Sequence, residues 1–161
     1  MKELREYRAK LMERLGQAAK AFRAACLAVD DPLAPMQSNG WNVHQIAAHT
    51  RDVDKLVYGL RARRTAAEDN PEFSTFDGDA HMADNYQPGE SLDELLDGFV
   101  ENVEAFVEFL RTMPEEAWSR VSRHTTLGGD LTLQSWVEKN LAHIEEHLGD
   151  VKKFQDQASH K

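Results

Sequence analysis

Residues 131–151 read LTLQSWVEKNLAHIEEHLGDV, and their periodicity decides what kind of fold the chain can make. Leu133, Val137, Leu141, Ile144, Leu148 and Val151 recur at spacings of three and four, the repeat of one face of an α-helix starting near Thr132. At about 100° per residue, His143 and His147 lie about −100° and −60° from Ile144, with Trp136 at about −80° and Asn140 at about −40°. That seam runs along one border of the apolar stripe and is expected to face the interior.

Three more stripes precede it. Leu92, Leu95, Phe99, Val103, Phe106 and Leu110 follow Ser91-Leu92-Asp93-Glu94, which fits a capping box, and Met113-Pro114 stops that helix. Pro114-Glu115-Glu116-Ala117-Trp118 reads as one more helical turn, and Arg120–Asp130 as a loop or short hairpin, the only plausible strand. A second helix starts at the N-cap Asn42 with Val43, Ile46, Thr50, Val53, Val57 and Leu60, and fades over Arg61–Ala67. The first carries Leu4, Tyr7, Leu11, Leu15, Ala18, Phe22, Ala25 and Val29, with the polar Arg8 among them, before Asp30-Asp31-Pro32 breaks it. Ser38-Asn39-Gly40 reads as a turn. The polar Glu68–Glu90 segment is too long for a structureless loop in a compact domain, so a short helix is expected around Asp77–Asn85. The sum is an all-α four-helix bundle with a long connection between the second and third helices. A single domain is expected over residues 1–154, with a frayed tail over 155–161.

Composition narrows the function. The 161 residues suit one domain with a real core and no need of disulfides. With 28 acidic against 19 basic residues the net charge is −9, and no basic stripe with interleaved aromatics appears, which argues against nucleic acid. No apolar run approaches the roughly 18 residues of a membrane span. The N-terminus is charged and amphipathic rather than signal-like, and the lone Cys26 can form neither an internal disulfide nor a cysteine-based zinc site. A reducing cytoplasm is the expected location.

Histidine carries the chemistry. Two imidazoles at i and i+4 can reach one ion, and a third from a facing helix completes three ligands with a position open for water or substrate. His49 lies about −60° from Ile46 on the second helix, on the stripe border, while His44 lies about 160° away and is expected on the solvent face. His81, His124 and His160 fall in loop or tail and are expected to be solvated. The bland alternative is that a His-x3-His pair is common on helices, as surface residues or satisfied core groups. Two familiar patterns are excluded. Ile144 stands where a HExxH protease needs its glutamate. Ile46, Asn140 and Ile144, three residues before the histidines, are not the glutamates of a di-iron bundle.

With these residues in place the chain resembles the DinB-like family of small bacterial metal-binding four-helix bundles. The matching pieces are Trp41-Asn42-Val43-His44-Gln45-Ile46-Ala47-Ala48-His49, then Leu131-Thr132-Leu133-Gln134-Ser135-Trp136 running into His143-Ile144-Glu145-Glu146-His147. Asn42 replaces the family's usual serine or threonine cap and caps equally well. The resemblance implies that His49, His143 and His147 are metal ligands, and that the protein is a metal-dependent hydrolase or a transferase using a low-molecular-weight thiol. Zinc, nickel, iron and manganese are not distinguished by such ligands. The substrate would be a small molecule. Three neutral imidazoles leave the ion's charge intact, so the pKa of a bound water would fall to about 7. Asn140 faces the site, either to orient a ligand or substrate or as a core amide, and Asp52, one turn beyond His49, either accepts a ring N–H or is a solvated acid. Trp41 and Trp136 pack in the core or line a pocket, and Phe73, Phe76, Met82 and Tyr86 cover it. Surplus apolar positions at Val100, Val107 and Phe109 suggest a homodimer. The competing readings are a non-catalytic metal-binding or stress-response bundle, and a plain scaffold whose histidines are satisfied core groups.

Overall fold

Asn42 sets the register of the part of the chain that matters most. In the computed structural model, which describes residues 1–36 and 40–159 apart from the Ser159 side chain, its Oδ1 accepts from Gln45 N at 2.7 Å. Gln45 Oε1 accepts from Asn42 N at 2.9 Å in return, so two orphan donors of the first turn are satisfied reciprocally. From this cap runs one helical rod: α2 (Val43–Val53), a π-helical stretch (Asp54–Gly59) and α3 (Leu60–Ala67). The expected fade at Arg61 does not occur.

The π stretch admits an extra residue and rotates everything after it. Leu60, expected on the buried stripe, is 46% exposed, and Arg61, Ala62 and Thr65 turn inward instead. Gly59 permits this winding, because a Cβ there would lie 2.7 Å from the Asp54 carbonyl oxygen.

The other bundle helices are α1 (Lys2–Leu27), α5 (Leu92–Arg111) and α6 (Leu133–Ser159). α1 lies along α5 and α6, and α2 along the same two. Phe22 of α1 meets Phe99 of α5 edge to face at 5.5 Å between centroids. Arg8 is buried within the α1 stripe, where its Nε donates to Gln134 Oε1 at 2.9 Å and its guanidinium lies 5.3 Å from the Trp118 ring. Ser91 Oγ caps α5 by accepting from Glu94 N, and Thr132 Oγ1 caps α6 by accepting from Ser135 N at 3.0 Å. α6 extends to Ser159, with buried Val151 and half-buried Phe154 packing against the core. His160 and Lys161, and Ser38 and Asn39 of the expected turn, lie outside the described residues.

The connection holds the expected short helix, α4 (Gly78–Asn85), capped by Asp77, whose Oδ1 accepts from Ala80 N at 3.0 Å. It also holds a strand the sequence did not reveal, β1 (Glu72–Phe73). Glu115–Ser119 is a 3₁₀ turn, followed by a hairpin of β2 (Val121–His124) and β3 (Gly128–Thr132). β1 pairs in parallel with β2, Glu72 opposite Arg123 and Phe73 opposite His124. Two residues are too few for an alternating pattern to show.

The surplus apolar positions of α5 are used within the chain: Val107 is buried, while Val100 and Phe109 pack half-buried on the core. Among the described residues no helix is long and apolar enough to cross a membrane.

The π stretch yields a test with an internal control. Gly59→Ala forces a clash with fixed backbone and should cost about 1–3 kcal/mol, the usual range for overpacking. Gly98→Ala, mid-α5 with open space around the position, should gain about 0.5–1 kcal/mol. Urea unfolding of both variants checks the pair, and equal effects would contradict this account of Gly59.

Candidate metal centre

His49 sits on α2 two turns beyond its cap, and His143 and His147 sit one turn apart on α6. Their Nε2 atoms converge. His143 Nε2 is 3.2 Å from His49 Nε2 and 3.1 Å from His147 Nε2, and the three form a cluster able to hold a metal ion. Tetrahedral zinc with Zn–N of about 2.0–2.1 Å would separate two nitrogen ligands by about 3.3 Å, so the spacing fits. Nitrogen lone pairs facing one another this closely repel unless a proton or a cation lies between them.

Protons are disfavoured there. Burial, followed by the neighbouring His147, lowers His49 to about 4. Burial, then His147 and His49, lowers His143 to about 3. Both rings are therefore neutral at pH 7, the form that ligates. His147 Nδ1 lies 3.1 Å from Asp150 Oδ2, which fixes its proton on Nδ1 and aims the Nε2 lone pair at the cluster. His143 Nδ1 is buried with no partner among the described residues. Gly78, the first residue of α4, lets the chain close over His49, since a Cβ there would stand 3.3 Å from His49 Cε1.

Two cavities flank the cluster. One, about 650 Å³, is lined by Trp41, Asp77, Asp79, Glu146 and Asp150 beside His147. The other, about 310 Å³, is lined by Val57, Tyr58, Arg61, His124 and Leu127 beside His143. His49, Thr75, Phe76 and Gly78 border both. A cavity of about 670 Å³ between Asp30, Asp31 and Phe154 has no histidine in its lining among the described residues, so size alone does not select the site.

The remaining expectations divide. Trp136 is fully buried, donates from Nε1 to Ser122 Oγ at 2.7 Å and lies in the core, whereas Trp41 does line the larger cavity, 5.1 Å from the His49 ring. Phe76 borders the cavities, but Phe73 and Met82 are buried in the protein. Asp52 does not hold a ligand histidine: its oxygens take Arg51 Nε at 2.9 Å and His81 Nε2 at 3.0 Å. Asn140 does not present its amide to the cluster: it is fully buried and donates from Nδ2 to Asp54 Oδ1 at 2.9 Å.

His44 is not solvated. It is 4% exposed, its Nε2 donates to the Glu90 carbonyl at 2.7 Å and its Nδ1 accepts from the Tyr86 hydroxyl, because the long connection covers that face of α2. His81 is held by Asp52 and Asn85, and His124 is buried on β2 with Nδ1 accepting from Thr126 N and Leu127 N. Sequence reasoning missed Asp150, Glu146, Tyr58, Arg61 and Asp54. Only Asp150 left a legible signal, three residues past His147 on the same helix face.

The DinB superfamily profile matches residues 14–151. The chain belongs to the DinB superfamily. No curated protein matches it at significant similarity. Among solved structures, this DinB-superfamily chain resembles YfiT from Bacillus subtilis, described as "a probable metal-dependent hydrolase with an unusual four-helix bundle topology". The TM-score is 0.86 at 18% identity, over 96% of this chain and 89% of that one, which establishes a shared fold.

Asp54 gives this DinB-superfamily chain a pH signature away from the histidines. Burial raises its carboxyl to about 6, against smaller lowering effects of Asn140 and Arg63. The folded chain thus holds a proton that the unfolded chain, titrating near 3.8, has released. The resulting stabilisation is complete below about pH 4 and is lost as pH rises through 6, a change of about 3 kcal/mol at most. Asp54→Asn should remove that slope and raise stability at pH 7, since a flipped Asn140 amide can pair with it. Urea midpoints from pH 4 to 7, taken as the difference between wild type and variant, check this. A constant difference would contradict it.

Proposed function

We propose that this chain is a metal-dependent enzyme acting on a small molecule, with His49, His143 and His147 holding one zinc, nickel, iron or manganese ion. The observation that carries the reading is the convergence of three imidazoles, with His143 Nε2 3.2 Å from His49 Nε2 and 3.1 Å from His147 Nε2, at a point where two cavities meet. Bound there, the ion would supply Lewis acidity, acidifying a water or small thiol and polarising the electrophile. Hydrolysis is the first reading.

The chain's own residues supply the rest. Asp150 orients His147. Glu146 lines the larger cavity and makes no hydrogen bond or ion pair with a described residue, which leaves its carboxylate available to take a proton. Phe76 and Gly78 cover His49 and restrict water. Cys26 takes no part: it is fully buried and burial pushes its thiol up to about 12. The second reading is S-transfer, in which the sulfur nucleophile arrives as a free low-molecular-weight thiol. The two cavities favour it, one for each organic reactant.

Metal content by plasma mass spectrometry, on untagged protein prepared without chelators, should give about one ion per chain. The His143→Ala, His147→Ala double variant should lose it and His44→Ala should keep it. Asp150→Asn should weaken binding about 10–100-fold, as removal of a ligand's outer partner does. Metal retained in the double variant would end the three-histidine reading. Turnover of an activated ester without added thiol supports hydrolysis, and turnover of a reactive electrophile only with thiol supports transfer. In either assay Glu146→Gln should lower kcat by about 100-fold or more if it is the base.

A further inference from the structure

Arg61 has no role in the chemistry described so far. The π stretch turns it inward to 8% exposure, although it lies in the first turn of α3. Its Nη2 donates to the Ser74 carbonyl at 2.9 Å, and its guanidinium lies 4.9 Å from the Trp136 ring and 5.8 Å from Phe73. No carboxylate among the described residues pairs with it. The contrast with Arg51 is direct, for that side chain bonds both Asp52 and Glu90. A buried guanidinium without an anion is costly, and this one remains charged at neutral pH.

The surroundings indicate what would complete it. Among the described residues the smaller cavity has no aspartate or glutamate in its lining, which is otherwise largely apolar, with Val57, Tyr58, Phe76 and Leu127. His124 beside it accepts two backbone N–H groups on Nδ1, so its ring is neutral and competes for no anion. The cavity runs from Arg61 to His49 and His143, and its volume of about 310 Å³ suits a small organic acid. Ser74 and Trp136 fix the guanidinium from two sides, a preorganised fork for planar, bidentate pairing with a carboxylate.

We infer that Arg61 anchors a carboxylate of the small molecule on which the three-histidine centre acts, holding its apolar body in the cavity between α3 and the hairpin. The assignment of the reacting end rests on the proposed function, whereas the anion site itself does not. In a chain of net charge −9 such a site needs its own cation, since the overall field repels anions.

The test compares benzoate with benzamide, near-isosteres differing by one charge, by ligand-observed NMR on zinc-loaded and metal-stripped protein. Benzoate should bind more tightly by about tenfold or more in both forms, the range of a charge-assisted hydrogen bond. It should show nuclear Overhauser contacts to the Leu127 methyls. Arg61→Gln should abolish the preference, and Arg61→Lys should keep part of it. Equal affinities, no binding of either probe, or contacts that avoid Leu127 would overturn the inference. So would a preference confined to the zinc form and surviving Arg61→Gln, which would seat the anion on the metal and leave the metal reading intact. A chain that takes up no zinc yet keeps an Arg61-dependent preference upholds the anion site while removing the metal centre. If Arg61→Gln does not fold, the wild-type contacts and Arg61→Lys decide.

Discussion

An α-helix repeats its face about every 3.6 residues, so one straight rod can present only one stripe to one set of neighbours. The Asp54–Gly59 stretch breaks that constraint by winding an extra residue into the turn. Before it, the phase set by Asn42 brings Ile46, Thr50 and Val53 inward and puts His49 beside α6. After it, the phase has advanced, and Arg61, Ala62 and Thr65 are buried where Leu60 would have been. Thr50 and Thr65 survive in the interior by donating to the carbonyls four residues back, Ile46 and Arg61, at 2.7 and 2.6 Å. The same rod therefore contributes to the histidine cluster and to the wall of the smaller cavity.

Charge is sorted across that centre. Asp77, Asp79, Glu146 and Asp150 border the larger cavity, whereas the smaller one has Arg61 and, among the described residues, no carboxylate. The histidines lie between the two, and burial together with the neighbouring rings holds His49 and His143 neutral. Asp54 and Asn140 form a separate buried polar pair, with Asn140 Oδ1 left unpartnered. A carboxyl that keeps its proton to about pH 6 can donate as well as accept in that pair.

The bundle was legible because its stripes are long. Leu133 to Val151 and Leu92 to Leu110 carry five or more periodic positions each, and their caps at Thr132 and Ser91 are conventional. His49, His143 and His147 were legible for the same reason: they border stripes whose phase is fixed, and they do meet. What failed were the places where a second segment covers a helix face. A helical wheel separates core from non-core. It does not separate water from the Tyr86 and Glu90 that enclose His44. Asp52 was lost to Arg51 and His81 by the same mechanism. Arg61 was invisible because the phase change depends on backbone winding, for which Gly59 alone is a weak signal.

The two-residue β1 has a consequence for how the molecule assembles. Glu72 meets Arg123 across 51 positions of chain, through the ladder and through an ion pair. Closing so long a loop brings an entropic cost before its few contacts are gained, so such pairings come late in folding and open early in native fluctuations. Most of the buried core lies on the helices and only Phe73 of β1 joins it, whereas the hairpin wall facing Arg61 is tied down by that ladder. Transient opening of the sheet would thus expose one side of the centre to bulk water while the helices stay packed, giving the small cavity an entrance distinct from the groove beside Glu146.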